Sequence, residues 1–234
     1  KLKRESYRKR WWQFTEPQLA LFSSIRKRKR AIAVGRVSKY FSFRFIDPQA
    51  VYSDKVVVFD RDTFAELAVL SSEIHNQWAL RFGTTHGGGT PNYKPTDCGS
   101  TFPFPLLIQL EGIGARYEEF RQSVMRTRNE GLTSIFNRFH DPSENDPDIS
   151  ELRRLQVEMD QAVAVAYDWQ GLDLEHGFHE TKQGIRFTIS NVARREVLDR
   201  LLALNHQRHA EEVAAQVSQP AVTTPARTRR KKDS

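Results

Sequence analysis

The 234 residues carry 36 Lys and Arg against 29 Asp and Glu, a formal net charge of +7, with 38% apolar residues, 15 Phe and 4 Trp. Packing anchors on this scale argue against a disordered chain, and no run approaches the ~18 apolar residues of a membrane helix, so the expectation is a folded cytoplasmic protein with no membrane partner. One cysteine, Cys98, excludes an internal disulfide and a Cys-based metal centre.

Lys1 stands where an initiator Met is expected, which reads as a piece of a longer polypeptide. Lys1–Arg44 holds 14 basic and 2 acidic residues, residues 45–226 hold 17 and 26, and residues 227–234 hold 5 and 1. A basic end on an acidic body is the footprint of a local polyanion site, with nucleic acid the first candidate. Ala31–Val37 and Tyr40–Ile46 are β-rich runs, and Phe41, Phe43 and Phe45 alternate with Ser42 and Arg44, which sets the rings on one face of a strand. Asp47-Pro48 marks a turn, and Val51–Phe59 contains an apolar run expected of an interior strand, for a sheet of at least three strands. Asp62 or Thr63 caps one helix, with Glu66, three residues after Thr63, able to reach back to the open backbone N–H. Its stripe of Phe64, Leu67, Leu70, Ile74, Trp78 and Phe82 should lie on the sheet, with Gly83 ending it in the left-handed conformation. Thr84–Ser100, with Gly87–Gly89, Pro91 and Pro95, reads as a mobile loop; no Gly-Lys-Ser/Thr follows to make it a phosphate cradle.

Past Thr101-Phe-Pro-Phe-Pro105 the pattern turns helical. Helices are expected over 110–130 (ending at Gly131), 132–139, 149–166 and 192–217, with a short strand over 186–189. The fold class is α+β: a small mixed β-sheet with a packed helix over 1–105, a helical segment over 106–217, and a disordered basic tail over 218–234.

No self-contained active site emerges. His176/His179 and His206/His209 have metal-like spacing but no third ligand, so no metal site is expected, and a thiol hydrolase built on Cys98 and His86 lacks a placed base. No nucleophile elbow or dinucleotide fingerprint is present, and no catalytic residue is assigned. The stronger signal is basic and aromatic. Arg36, Lys39, Tyr40 and Arg44 project from or near the strands, and His86, Asn92, Tyr93 and Lys94 sit on the glycine-bearing loop, so both sets are expected to enter a DNA groove together. Arginine can grip guanine O6 and N7 with two hydrogen bonds, and lysine serves phosphate as a point charge.

Several runs resemble a family as a set: Ala33-Val-Gly-Arg-Val-Ser-Lys39, Val51-Tyr-Ser-Asp54, Tyr93-Lys-Pro-Thr-Asp-Cys98 with Thr101–Pro105, Gly131–Pro142 and Leu152–Asp160. Over roughly Trp11–Val213 the chain is similar to the C-terminal part of MmeI-like, type IIG restriction-modification and phage-defence enzymes, which methylate adenine N6 with S-adenosylmethionine. The resemblance implies a target recognition domain with a helical tail. Its implied partners are double-stranded DNA and a methyltransferase core in the same polypeptide or a separate subunit. The chain departs from the complete enzyme: it has no Asn-Pro-Pro-Tyr or Asp-Pro-Pro-Tyr and no glycine-rich donor motif. The implied role is therefore binding, with S-adenosylmethionine belonging to the parent enzyme and no cofactor in this chain. The alternative is a helical interaction or scaffold module with a nucleic-acid-contacting basic arm.

Overall fold

The computed structural model describes residues 18–218; the first seventeen residues and the basic tail expected to be disordered lie outside the described residues. A short helix, α1 (Leu19–Ile25), leads into β1 (Ala31–Gly35), which is flanked by β2 (Arg44–Ile46) and β3 (Val56–Phe59) in the order β2-β1-β3. Both pairings are antiparallel, so the sheet is not mixed. The connections between successive strands are too short for the helical crossover that a parallel pair needs. Cross-strand partners share a face, and Ile32 opposes both Phe45 and Phe59 while Val34 opposes Val57. That face is the buried one.

The expected strand over 40–46 begins only at Arg44. Tyr40 leaves the sheet instead and donates its hydroxyl to Asn137 Oδ1 at 2.9 Å. The Phe alternation still packs the core: Phe43 is fully buried, with the rings of Phe59, His75 and Tyr93 around it at 5.2–5.8 Å.

Two helices replace the single one expected over 63–82. The capping box is present, with Glu66 N–H donating to Thr63 Oγ1 and Thr63 N–H to Glu66 Oε2, both at 3.1 Å, and it opens α2 (Phe64–Ser71). Ser72 then turns extended at ψ 153° and opens α3 (Glu73–Phe82), accepting from His75 N–H at 3.3 Å. The break is stabilised from outside the helix, because Glu73 N–H donates to Asp160 Oδ1 at 2.8 Å. Gly83 is extended rather than left-handed; it is glycine because a Cβ would sit 2.6 Å from Ala79 O and 2.9 Å from Asn92 O.

Thr84–Ser100 is structured, contrary to the loop expectation. β4 (Thr84–His86) and β5 (Thr90–Asn92) form a hairpin whose turn uses Gly88 and Gly89 at φ 70° and 89°, and a π-helical turn over Pro95–Ser100 buries Cys98. Strands of three residues are too short to show alternation. The hairpin's base is tied to the end of β1, where Tyr93 N–H donates to Arg36 O at 2.7 Å and Ser38 N–H to Pro91 O at 3.1 Å.

The remaining elements are α4 (Glu111–Arg128), α5 (Leu132–Phe139), α6 (Pro147–Ala166), the hairpin β6 (Gly177–Thr181) and β7 (Gly184–Thr188), and α7 (Asn191–Ser218). Asn129, left-handed at φ 51°, ends α4 before Gly131 is reached. β6, which carries His179, was not anticipated from the sequence. The apolar core runs without interruption past residues 101–105: Leu67 and Leu70 of α2 face the sheet, while Ala65, Ala68 and Val69 of the same helix join α4, α6 and α7. The proline-rich strap is held by its carbonyls, with Asn205 Nδ2 donating to Thr101 O at 2.6 Å, Tyr167 hydroxyl to Pro103 O at 2.8 Å and Arg208 Nη1 to Phe104 O at 2.7 Å. No helix among the described residues is long and apolar enough to cross a membrane.

Candidate nucleic-acid interface

A cavity of about 810 Å³ opens between residues 39–43, α3, the β4–β5 hairpin, the end of α5 and the β6–β7 hairpin, with the start of α7, Tyr117 and Arg121 of α4, Gln156 of α6 and Ser71 of α2 completing its lining. Each segment is there for a local reason. Tyr40 is pulled out of the sheet by Asn137 and stacks on His140 at 4.9 Å. Gln77 on α3 reaches Thr188 on β7 at 3.4 Å, and Thr188 donates to Glu73 Oε2 at 2.7 Å, which fixes the second hairpin against the helix.

The eight residues expected to meet DNA are not all brought together. Lys39 and Tyr40 line the cavity, with Lys39 Nζ 2.7 Å from Asn137 Oδ1 and 5.1 Å from the Tyr40 ring centre. His86 is exposed beside the turn of the β4–β5 hairpin. Asn92 donates to Thr84 Oγ1 at 3.2 Å across the same hairpin. Arg36 donates to Asp54 O at 2.6 Å, and Lys94 pairs with Asp97 at 3.5 Å. Arg44 opposes Ala33 and so projects from the sheet face opposite Phe45, away from the cavity. Tyr93 is a correction: it is fully buried, and no groove can reach it while the fold is intact. Its hydroxyl donates to His75 Nε2 at 3.1 Å, since His75 Nδ1 lies 3.0 Å from the Leu70 carbonyl, which can only accept. Burial holds His75 down to about 4 and raises Tyr93. Of the Arg26–Arg30 cluster, Arg28 is committed to Asp60 and Asp62, and Arg30 lies over the rings of Phe45 and Phe64 at 3.7 and 3.9 Å.

Beside the expected Lys39, the cavity gathers cations that sequence reasoning missed. Among the described residues, Lys39, Arg81, Arg121, Lys182, Arg186 and Arg194 line it against one carboxylate, Glu73. Burial and the neighbouring Asp160 charge push Glu73 above its usual range, against hydrogen bonds from Thr188, Asn76 and Gln77. Burial and then the charges of Arg186, Arg153 and Lys39 hold His140 down to about 3, so its ring is neutral at physiological pH. Behind Glu73, Asp160 accepts from His176 Nε2 at 2.8 Å; burial opposes protonation of His176, and the Asp160 contact outweighs it and raises the pKa. His179 is engaged at Glu175 O, 2.9 Å away. No group of three or more metal-ligating side chains occurs among the described residues.

Five buried polar atoms belonging to cavity-lining residues have no hydrogen-bond partner in the protein: Ser71 Oγ, His140 Nδ1, and the Nε of Arg121, Arg186 and Arg194. Arg121 is 2% exposed; its other contacts are Glu118 and Phe43 O, the latter at 2.7 Å. The signal for it was in the sequence, because Arg121 falls on the apolar stripe of α4 between Tyr117 and Val124, where a charge is out of place. Arg186 and Arg194 carried no such signal, because the expected strand over 186–189 and helix over 192–217 did not record which elements would lie beside them.

No protein-family model matches the chain, and no curated protein does. A solved structure titled "Structure of Type IIL restriction-modification enzyme MmeI in complex with DNA has implications for engineering of new specificities" is similar to it, with a TM-score of 0.48 and 18% sequence identity over 78% of this chain and 22% of that one. The chain thus spans less than a quarter of that protein's length.

Proposed function

We propose that this chain binds duplex DNA and contributes target recognition to an adenine-specific, S-adenosylmethionine-dependent methyltransferase of a restriction-modification or phage-defence system. The observation that carries the reading is the five cations, Lys39, Arg81, Lys182, Arg186 and Arg194, that line one cleft between two hairpins in addition to the buried, Glu118-paired Arg121. A two-stranded ribbon is narrow enough for the major groove, and the cations can neutralise the flanking phosphates. The family motifs quoted from the sequence support the same reading. S-adenosylmethionine is left to the proposed parent enzyme, since the sequence carries no glycine-rich donor motif. Catalysis, and the cytoplasmic setting it implies, belong to the proposed parent enzyme.

The contacts now differ from those the sequence suggested. Lys39 and Lys182 line the cleft, whereas Arg36 and Arg44 do not. Lys39→Ala with Lys182→Ala should lower duplex affinity about tenfold at low salt and flatten the plot of log K against log salt by about 1–2. Fluorescence anisotropy with a labelled duplex across a salt series measures both. Exchanging Thr84–Asn92 for another sequence of equal length should alter which duplexes bind best. Unchanged affinity and slope in the double variant would sink the reading, and salt-insensitive capture of a protein partner would favour the scaffold alternative.

A further inference from the structure

We propose that the cleft holds a binding site for a single nucleoside phosphate, with the phosphate on Arg186 and Arg194 near the buried Arg121 and the base against the apolar wall of Phe41, Leu80 and Leu198. Three guanidinium side chains and one hydroxyl side chain line this cavity, each with a polar atom that no protein group pairs with; those atoms are themselves closed to solvent, so a ligand rich in acceptors engages the guanidinium groups through their outer N–H groups. Three of these four are cationic forks, whose geometry matches two oxygens of a phosphate. The volume, about 810 Å³, falls in the range of sites for molecules well above the size of inorganic phosphate.

The ligand is also planar and polar at its far end. Phe41, Leu80 and Leu198 supply apolar surface, while Asn76, Gln77 and Ser71 place amides and a hydroxyl in the same space. The Asn76 and Gln77 amide nitrogens are already engaged by Glu73 and Thr188, so this end offers a polar surface that a base edge tolerates and that an alkyl chain would desolvate without return. His140, neutral and stacked on Tyr40, adds a ring nitrogen that can take or give one hydrogen bond. Arg121 is held for this task at real cost: it is buried beside Glu118, and one of its donors stays free.

The nucleotide has two possible sources, free in solution or unpaired in a DNA strand, and the chemistry is shared. Isothermal titration of the full chain with the four deoxynucleoside monophosphates and with inorganic phosphate tests the site. At least one nucleotide should bind about tenfold or more tightly than phosphate, and Arg194→Gln should weaken it about tenfold, with Arg194→Lys between. Arg186→Gln is the independent second variant, a thermal melt checks that each variant is folded, and Arg154→Gln, whose partners are Glu151 and Glu158, should change nothing. No nucleotide heat from the folded wild type overturns the proposal. So does a nucleotide no tighter than phosphate, or full affinity in both folded variants. A duplex with one unpaired nucleotide, bound more tightly than a matched duplex and displaced by the monophosphate, assigns the strand as source; monophosphate binding without competition assigns the free nucleotide. The matched duplex reports separately on the DNA-recognition reading, so either can fail while the other stands.

Discussion

Arg121 is the residue on which burial and function pull in opposite directions. Its guanidinium is 2% exposed, paired with Glu118 and donating to Phe43 O, so it links α4 to the segment that enters β2. Arg121→Met should cost about 3–5 kcal/mol in urea unfolding because it strands the buried Glu118 carboxylate, and adding Glu118→Gln should return part of that loss. His75 makes a second prediction, about acid. Its folded pKa, about 4, lies below the unfolded 6.5, so its stabilising contribution is present above pH 6.5 and lost as pH falls toward 4. Stability should drop in that window by about 1.4 kcal/mol per pH unit from this ring. His75→Gln should lower stability at pH 7 by leaving the Tyr93–His75–Leu70 chain of hydrogen bonds poorly matched, yet flatten the acid limb, as chemical denaturation at several pH values would show.

Among elements, the α2–α4 crossing is the tightest. A Cβ on Gly114 would lie 2.1 Å from Phe64 O and 3.2 Å from Ala68 Cβ, so Gly114→Ala should destabilise by about 2–3 kcal/mol. Gly112, two residues earlier on α4, has open space around it, and Gly112→Ala should raise the melting free energy by about 0.5 kcal/mol through the unfolded chain. The long helices were legible because their apolar stripes persist over several turns, and α6 and α7 start within two residues of their expected positions; the short helix Leu132–Phe139 also matches its expectation residue for residue. The misses have two causes. Ser72 breaks a continuous stripe because Asp160, 88 residues away, takes the next backbone N–H, and no local pattern records such a partner. The β4–β5 hairpin hid behind glycines that signal a turn and a flexible loop equally well.

For the molecule as a whole, the separation of charge along the chain is only half the story. The early basic residues of the described region are divided between internal partners and solvent, whereas the cleft cations come from five places between Lys39 and Arg194. That assembly was illegible in the sequence because it depends on which hairpin lands beside which helix.

The strap over Thr101–Pro105 carries a further consequence, for how the protein is made. Pro103 and Pro105 have no backbone N–H to give, and the strap's carbonyls wait for Tyr167, Asn205 and Arg208. Trp78 and its neighbours on α3 likewise wait for the α7 face that carries Val197 and Leu201. A ribosome therefore releases the first half of this chain with its apolar side uncovered, and the fold closes only when the last helix has emerged.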